Sequence, residues 1–245
     1  MDRLIYQSMS GAQALMQRQE ALANNLANGS TDGFRADLMA FRSVPGDQPD
    51  AATTRVWALE ASAGFDVAAG PIRSTGRALD AAVAGAGWFS VQSADGSEAY
   101  VRDGSFEVGA DGTLQDRHGR VVLGDGGPLS IPPQADVAIG GDGTVSARIG
   151  DQPPFPVGRL KLVNPPADEL RKDPDGLVRL RSGEPAPADE SVRVVAGALE
   201  GSNVNVVESM VGMIALARQF EMQMRMIQMA EGNEQKAAQL LSIRG

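Results

Sequence analysis

The chain contains no cysteine, which excludes a disulfide framework and any metal site built on thiolate ligands. It has no apolar stretch near the ~20 residues that a membrane-spanning helix requires. Its first residues lack the uninterrupted apolar core of a secretory signal peptide. We therefore expect a protein that is not an integral membrane protein and that is exported, if at all, without a cleaved signal peptide.

Histidine occurs once, and this scarcity limits the catalytic chemistry open to the chain. His118 lies in a predicted hairpin turn, and no Gly-x-Ser-x-Gly motif supplies it with a nucleophile. Gly85-Ala86-Gly87 lacks the third glycine of a dinucleotide fingerprint, and Gly140-Gly141-Asp142-Gly143 lacks the Lys-Ser/Thr of a phosphate-binding loop. The Asp-Gly pairs fit turns and not the spacing of an EF-hand. We expect no enzyme activity, no cofactor and no metal site.

The formal net charge of −9 lies in the middle of the chain. Residues 1–42 and residues 201–245 each hold four acidic and four basic side chains, so both ends are neutral. Neutral ends can associate without like-charge repulsion, whereas the acidic middle stays solvated. Because the chain has no basic footprint, we expect no nucleic-acid partner.

The C-terminal segment, residues 203–244, is predicted to be an amphipathic helix. Its apolar side chains recur at alternating steps of four and three, the spacing that joins helices in coiled coils. Val207, Val211 and Ile214 add a second apolar line, which suits contact with several neighbours. An ordinary buried helix of one globular domain would give a similar pattern. The predicted seam consists of Val206, Met210, Met213, Ala217, Phe220, Met224 and Ile227.

Residues 1–28 are predicted to form a second amphipathic helix, ended by Gly29 and Gly33 because glycine accepts positive φ. The two terminal helices can pair, in a coiled-coil-like manner, only if the middle of the chain returns to its origin. Helical ends around a large insertion suggest a subunit that polymerises through its termini and coats the polymer with its middle. The apolar face comprises Leu4, Ile5, Met9, Ala12, Leu15, Met16, Leu22, Ala23 and Leu26.

Between the ends, short apolar runs alternate with turn residues, as is typical of antiparallel β-structure. Strands are predicted at residues 88–92, 100–102, 106–108, 121–123 and 157–162. Hairpin turns are predicted at Asp95-Gly96, Asp103-Gly104, Asp111-Gly112, His118-Gly119, Asp125-Gly126 and Asp142-Gly143.

The sequence therefore predicts an α+β fold in which terminal α-helices flank an inserted antiparallel all-β domain. The predicted divisions are an N-terminal assembly helix (1–35), an extended connector (36–78), the β domain (79–197) and a C-terminal assembly helix (198–245).

Four motifs, spread over essentially the whole chain and in family order, resemble those of flagellar rod and hook axial proteins. They are Ala23-Asn24-Asn25-Leu26-Ala27-Asn28 with Thr31-Asp32-Gly33-Phe34-Arg35-Ala36-Asp37; Leu79-Asp80-Ala81-Ala82-Val83 with Gly87-Trp88-Phe89; Tyr100-Val101-Arg102-Asp103-Gly104-Ser105-Phe106 with the hairpins at 111–114 and 119–124; and Leu199-Glu200-Gly201-Ser202-Asn203-Val204-Asn205.

The resemblance implies a structural subunit of the bacterial flagellar basal-body rod. Such subunits form a helical tube that transmits motor torque across the periplasm and encloses the export channel. The implied partners are other rod proteins, proximal and distal, further copies of this chain, and the flagellar type III export apparatus. The C-terminal motifs are most similar to proximal-rod members. A distal-rod protein is the alternative, and a hook subunit or a secreted β-domain adhesin fits less well.

The candidate site residues are assembly contacts and caps. Asn24, Asn25, Leu26 and Asn28 form the family's turn region, where amides can bond exposed backbone groups or simply cap the helix. Asn203 and Asn205 are predicted to cap the C-terminal helix. The predicted assembly contacts are Leu15, Leu22, Met210, Met213, Phe220, Met224 and Ile227.

Overall fold

The computed structural model describes the backbone of residues 2–45 and 56–242. It describes the side chains of residues 9–39, 64–229 and 232–233. Contacts divide the chain into two compact units. The helical unit comprises the described parts of Met1–Ala27, Asp37–Gly64 and Asn205–Gly245, and the β unit comprises Asn28–Ala36 and Phe65–Val204.

Both predicted terminal helices are present in the helical unit. Helix α1 spans Asp2–Ala27 and helix α2 spans Val206–Ser242. Strands β1 (Asp37–Pro45) and β2 (Val56–Phe65) pair as a two-stranded sheet. By contacts, this sheet groups with the helices, although the sequence places it in the connector.

Helices α1 and α2 lie side by side and run in opposite directions. A Cβ added at Gly11 would lie 2.9 Å from Nε2 of Gln223, and one added at Gly212 would lie 3.1 Å from Cδ1 of Leu22. Glycine at both positions therefore lets the helices approach closely. A Cβ added at Gly232 would meet nothing within 4 Å among the described residues. The coiled-coil-like character of the pair stays a prediction.

The β unit contains sixteen short strands among the described residues. They are β3 (Ile72–Ser74), β4 (Ala81–Ala84), β5 (Trp88–Gln92), β6 (Glu98–Val101), β7 (Phe106–Val108), β8 (Leu114–Asp116), β9 (Leu123–Gly124), β10 (Gly127–Pro128), β11 (Asp136–Ile139), β12 (Thr144–Arg148), β13 (Phe155–Arg159), β14 (Leu162–Val163), β15 (Leu170–Lys172), β16 (Val178–Leu180), β17 (Arg193–Ala196) and β18 (Ala198–Glu200). A 3-10 turn at Ala167–Glu169 precedes β15.

The strands pair antiparallel throughout the β unit, as predicted. The largest sheet has the order β14-β5-β6-β16-β15, and a three-stranded sheet has the order β11-β12-β13. Four two-stranded sheets complete the unit: β10-β9, β17-β4, β18-β3 and β7-β8.

The five-stranded sheet is buried on both faces, and β5 shows why. Successive side chains of a strand point to opposite faces. Phe89 and Val91 belong to one apolar cluster, whereas Trp88 belongs to a second cluster with Tyr100. Because both faces are covered, the strand carries apolar side chains at the consecutive positions Trp88 and Phe89, which point to opposite faces. Burial also raises the pKa of Tyr100 to about 12.

Most of the predicted Asp-Gly turns are present. At Asp95, Asp111 and Asp142 the carboxylate accepts a hydrogen bond from the backbone N–H two residues later, and hydrogen bonding lowers the pKa of each. Asp103-Gly104 is an exception, because it is not a hairpin turn. Glycine is needed at 104 for packing, since a Cβ there would lie 1.8 Å from the carbonyl oxygen of Ala81.

No helix in the described ranges 2–45 and 56–242 is both long enough and apolar enough to span a bilayer.

Candidate assembly surface and buried charge cluster

The helical unit exposes an aliphatic line on α2, formed by Val207, Val211 and Ile214. These side chains are 71%, 62% and 58% exposed. Their spacing of four and three residues aligns them along one side of the helix. β-Branched side chains hold a preferred rotamer in a helix, so the line presents a fixed shape. Large contiguous exposed apolar surfaces are typical of interaction sites.

Methionine dominates the exposed apolar surface farther along α2. Met222, Met226 and Met229 are each half exposed or more, and α1 adds Met9 and Met16. Unbranched methionine adapts to irregular and non-equivalent surroundings. The helical unit therefore combines a stiff aliphatic line with an adaptable methionine surface.

The covered side of α2 differs from the predicted seam at alternate positions. The predicted Met210, Ala217 and Met224 are exposed, and the side chains one residue earlier are covered instead. From Val206 to Met229, the partly or fully buried side chains are those of Val206, Ser209, Met213, Leu216, Phe220, Gln223 and Ile227. The predicted line and the observed covered line both start at Val206 and alternate steps of three and four residues. The covered line is hard to recognise in the sequence because it contains the polar residues Ser209 and Gln223.

Some of the remaining predicted assembly residues are partly covered within the subunit, and others are accessible. On α1, Leu15, Leu22 and Leu26 are half-buried. On α2, Met210 and Met224 remain accessible. Leu4 and Ile5 lie outside the residues whose side chains the structure describes. The role of these residues in assembly stays a prediction.

Asn25, near the end of α1, binds the backbone of Asp37, where β1 begins. Its Nδ2 donates to the carbonyl oxygen of Asp37 at 2.9 Å, and its Oδ1 accepts the Asp37 N–H at 2.8 Å. Asn24 Nδ2 donates to the Asp37 carboxylate at 2.6 Å. In the β unit, Thr31 Oγ1 donates to Asn28 Oδ1 at 3.2 Å, across a turn. Asn25 thus bonds backbone groups as predicted.

Of the two asparagines predicted to cap α2, one does so. Asn205 Oδ1 accepts the Glu208 N–H at 3.1 Å, the geometry of an N-cap. Asn203 has another role, so its predicted capping is wrong. Its Oδ1 accepts the Ala36 N–H at 2.8 Å, and its Nδ2 donates to the carbonyl oxygens of Asp66 and Ala68. It joins segments of the β unit that are far apart in sequence.

The β unit also contains a buried charge cluster of Glu200, Arg35 and Arg102, called here the Glu200 cluster. All three side chains are at most 3% exposed. Glu200 Oε1 accepts from Arg35 Nη2 at 2.6 Å and from the Gly70 N–H at 2.7 Å. Its Oε2 accepts from Arg102 Nη1 at 2.9 Å. Both carboxylate oxygens are therefore engaged.

Further contacts fix the same three residues. The Glu200 carbonyl oxygen accepts the Gly33 N–H at 2.7 Å, and the Arg35 carbonyl oxygen accepts from Lys172 Nζ at 2.9 Å. The guanidinium carbons of Arg35 and Arg102 lie 5.7 Å and 5.1 Å from the Trp88 ring centroid. These distances suit cation–π attraction.

The Glu200 cluster holds two cations against one anion. Arg35 Nε, Arg35 Nη1 and Arg102 Nε are buried without a hydrogen-bond partner among the described residues. Burial lowers the pKa of Arg102, and the nearby Glu200 opposes this shift. Chemically, the arrangement holds chain segments together, because the Glu200 carboxylate accepts from donors on three separate segments.

A second set of ion pairs fixes residues 28–36 through Asp32. Its carboxylate pairs with Arg73 and, at 3.0 Å, with Nη2 of Arg117. Arg117 Nε also lies 3.0 Å from Asp103 Oδ2. Burial raises the pKa of Asp103. Residues 28–36 are therefore held by both charged and backbone contacts within the β unit.

His118 lies in a turn after β8, as predicted, with its side chain more than half exposed. Its Nδ1 lies 3.0 Å from Arg120 Nη2. Its backbone N–H donates to Asp116 Oδ1 at 2.9 Å. Among the described side chains, no group of three or more His, Asp or Glu could hold a metal ion.

Replacing His118 by Ala is expected to leave stability and function unchanged. The backbone bond to Asp116 survives the substitution, and exposed side chains outside special sites contribute within about 0.5 kcal/mol. Thermal unfolding of the purified chain and motility of cells carrying the variant measure the two effects. Lost motility at normal protein level would reveal a role for the imidazole.

Sequence reasoning missed the Glu200 cluster, although each member lies inside a motif quoted above. Arg35 follows Gly33-Phe34, Arg102 follows Tyr100-Val101, and Glu200 follows Leu199. Single charged residues beside apolar ones are a weak signal of burial. Nothing local indicates that Arg35 and Glu200, 165 residues apart, form a pair.

Three family models match successive parts of the chain. The flagella basal body rod protein model matches residues 5–35. The flagellar hook protein FlgE/F/G D1 domain model matches residues 82–147, and the flagellar basal body rod FlgEFG protein C-terminal model matches residues 195–240. The matches therefore include most of α1, much of the β unit and most of α2.

Full-length relatives agree with these matches. The chain is 44% identical over 252 residues to the flagellar basal-body rod protein FlgF of Salmonella typhimurium, covering 99% of this chain and 100% of the relative. It is 43% identical to FlgF of Escherichia coli, with the same coverage. It is 33% identical to the flagellar basal-body rod protein FlgG of Agrobacterium fabrum, over 91% of this chain and 93% of that relative.

Proposed function

Because the chain belongs to the family of flagellar basal-body rod proteins, we propose that it is a proximal-rod subunit that polymerises through its two terminal helices. The observation that carries this proposal is the aliphatic line of Val207, Val211 and Ile214, which α1 leaves uncovered. On a free monomer these apolar side chains are exposed to water, which is unfavourable. Burying each of them against a neighbouring subunit would contribute about 1.5–3 kcal/mol to the free energy of association.

In this proposal the helical unit forms the inner layer of a tube and the β unit forms its outer layer. The tube transmits motor torque and encloses the export channel. Contacts between non-identical surfaces that do not close into a ring generate a helical filament. The two terminal helices of a subunit pair in a coiled-coil-like manner, as the heptad spacing predicts, and helices of neighbouring subunits pack against the exposed side of α2.

The proposed partners are proximal and distal rod subunits, other copies of the chain, and the flagellar type III export apparatus. The methionine surface around Met222, Met226 and Met229 supports several different neighbours, because methionine repacks at little cost. We place the chain in the periplasmic rod of the basal body, exported without a cleaved signal peptide.

A distal-rod role is the second candidate. The full-length similarity to FlgG of Agrobacterium fabrum favours it, at lower identity than the similarity to FlgF. Position along the rod separates the two roles. A tag inserted at the exposed Asp95-Gly96 turn and located by electron cryotomography should lie at the cytoplasmic-membrane end of the rod if the chain is proximal.

The structural role itself is tested by deletion and complementation. Cells without the chain should be non-motile and should lack hooks, and a plasmid copy should restore both. Basal bodies isolated from complemented cells should contain the chain. Normal hooks in the deletion strain would contradict the proposal.

A further inference from the structure

We infer that the Glu200 cluster is a positional latch that sets where residues 28–36 and 198–204 lie on the β unit. These stretches contain the chain that follows α1, which ends at Ala27, and the chain that leads to α2, which begins at Val206. The latch fixes the position of these two stretches, and it contributes little to the free energy of unfolding of the β unit.

The first argument is that the contacts specify one register. Residues 28–36 bind Glu200 at two points. The Gly33 N–H donates to its carbonyl oxygen at 2.7 Å, and Arg35 Nη2 donates to its carboxylate at 2.6 Å. A guanidinium is a rigid, directional donor. Moving the segment by one residue would break both bonds together and leave Arg35 buried without its counter-charge. The register of residues 28–36 is therefore fixed by two bonds to Glu200, one to its backbone and one to its side chain.

The second argument is that Glu200 itself is held from two other directions. Gly70 donates to its Oε1 at 2.7 Å, and Arg102, anchored on the Gly85 carbonyl oxygen at 2.8 Å, donates to its Oε2. Strand β18, which carries Glu200, pairs with β3. The carboxylate thus joins four separate parts of the β unit at one point.

The third argument is that the cluster is a poor way to gain stability. A buried ion cluster is often no better than well-packed apolar side chains of similar size. Here one anion faces two cations, and three buried guanidinium nitrogens, two of Arg35 and one of Arg102, have no partner among the described residues. Buried charges that do not add stability can still specify a single arrangement.

The consequence in the cell rests on the proposed function. A helical polymer repeats the same contacts in every copy, so the chain must leave α1 and enter α2 at the same points in each subunit. A latch that holds residues 28–36 and 198–204 in one register supplies that uniformity.

The test replaces the charges by apolar side chains of similar size in the variant Arg35→Met, Arg102→Met, Glu200→Leu. The full-length purified chain is measured by thermal unfolding and by hydrogen exchange with mass spectrometry. The latch predicts an unchanged or higher melting temperature of the β unit. It also predicts about tenfold faster amide exchange at residues 28–36, since local opening is read by exchange. Cells carrying the variant should lose motility.

Two matched variants accompany it. Lys161→Met, Glu98→Leu removes another largely buried ion pair of the β unit, with Nζ and Oε2 2.8 Å apart, that does not touch residues 28–36. It should leave exchange there and motility unchanged. Arg35→Lys keeps the charge and loses the guanidinium geometry, so it should speed exchange at residues 28–36 without lowering the melting temperature.

Several outcomes would overturn the latch. Slow exchange at residues 28–36 in the triple variant would show that the charges are not needed for register. A large fall in melting temperature, failure to fold, or faster exchange over the whole β unit would show an ordinary stabilising cluster. Failure of the proposed function looks different, since exchange would change as expected while all variants swim normally.

Discussion

Replacing Ile214 by Asp should abolish rod assembly while leaving the free subunit folded. Ile214 is 58% exposed, so the free subunit should change by no more than about 0.5 kcal/mol. In the assembled rod the same position is proposed to face a neighbouring helix. An unpaired carboxylate buried there costs at least about 2–7 kcal/mol, the cost of burying even a neutral polar group, and it recurs in every subunit.

The measurements are motility, hook counts by electron microscopy, and the melting temperature of the purified chain. Gln219→Asp is the control, because Gln219 is exposed on another side of α2 and gains the same charge. It should assemble normally. Hooks at normal number in Ile214→Asp cells would mean that the aliphatic line is not an assembly surface. Phe220→Asp is less informative, since Phe220 is half-buried within the subunit.

Replacing Gly33 by Ala should detach residues 28–36 from their place in the β unit. Gly33 has a φ of +71°, which costs an L-residue about 1–2 kcal/mol. A Cβ there would also lie 2.2 Å from the backbone nitrogen of Asp103, a clash that no rotamer relieves. With overpacking of about 1–3 kcal/mol or more, the total loss should reach roughly 3 kcal/mol.

Urea unfolding of the purified chain measures this loss, and hydrogen exchange locates it at residues 28–36. Gly76→Ala is the matched control, because Gly76 has a φ of +72° and a Cβ there would meet nothing within 4 Å. It should lose only the backbone term of about 1–2 kcal/mol. Equal losses in the two variants would show that the close approach to Asp103 can relax.

Local patterns in the sequence were sufficient for the two terminal helices and for the antiparallel character of the β unit. Heptad spacing predicted two terminal helices, and they occupy Asp2–Ala27 and Val206–Ser242. Asp-Gly pairs predicted antiparallel hairpins, because an aspartate carboxylate bonds a nearby N–H and glycine accepts positive φ. The four motifs predicted the family, and the full-length relatives support it.

The tertiary structure alone decided which surfaces meet. Heptad spacing does not say which of two adjacent residues faces a neighbour, so Met210 and Met224 turned out to be exposed while Leu216 is buried.

The roles of Gly212, Asn203 and Glu200 also depend on contacts with residues far away in sequence. Periodicity is a property of one element, and it carries no information about a partner 165 residues away such as Arg35 and Glu200. The sequence by itself determined the two terminal helices, the antiparallel β-structure between them, most of the Asp-Gly turns and the family. Only folding determined the covered side of α2 and the charge cluster that joins the two connecting segments, because both exist only when distant parts of the chain come together.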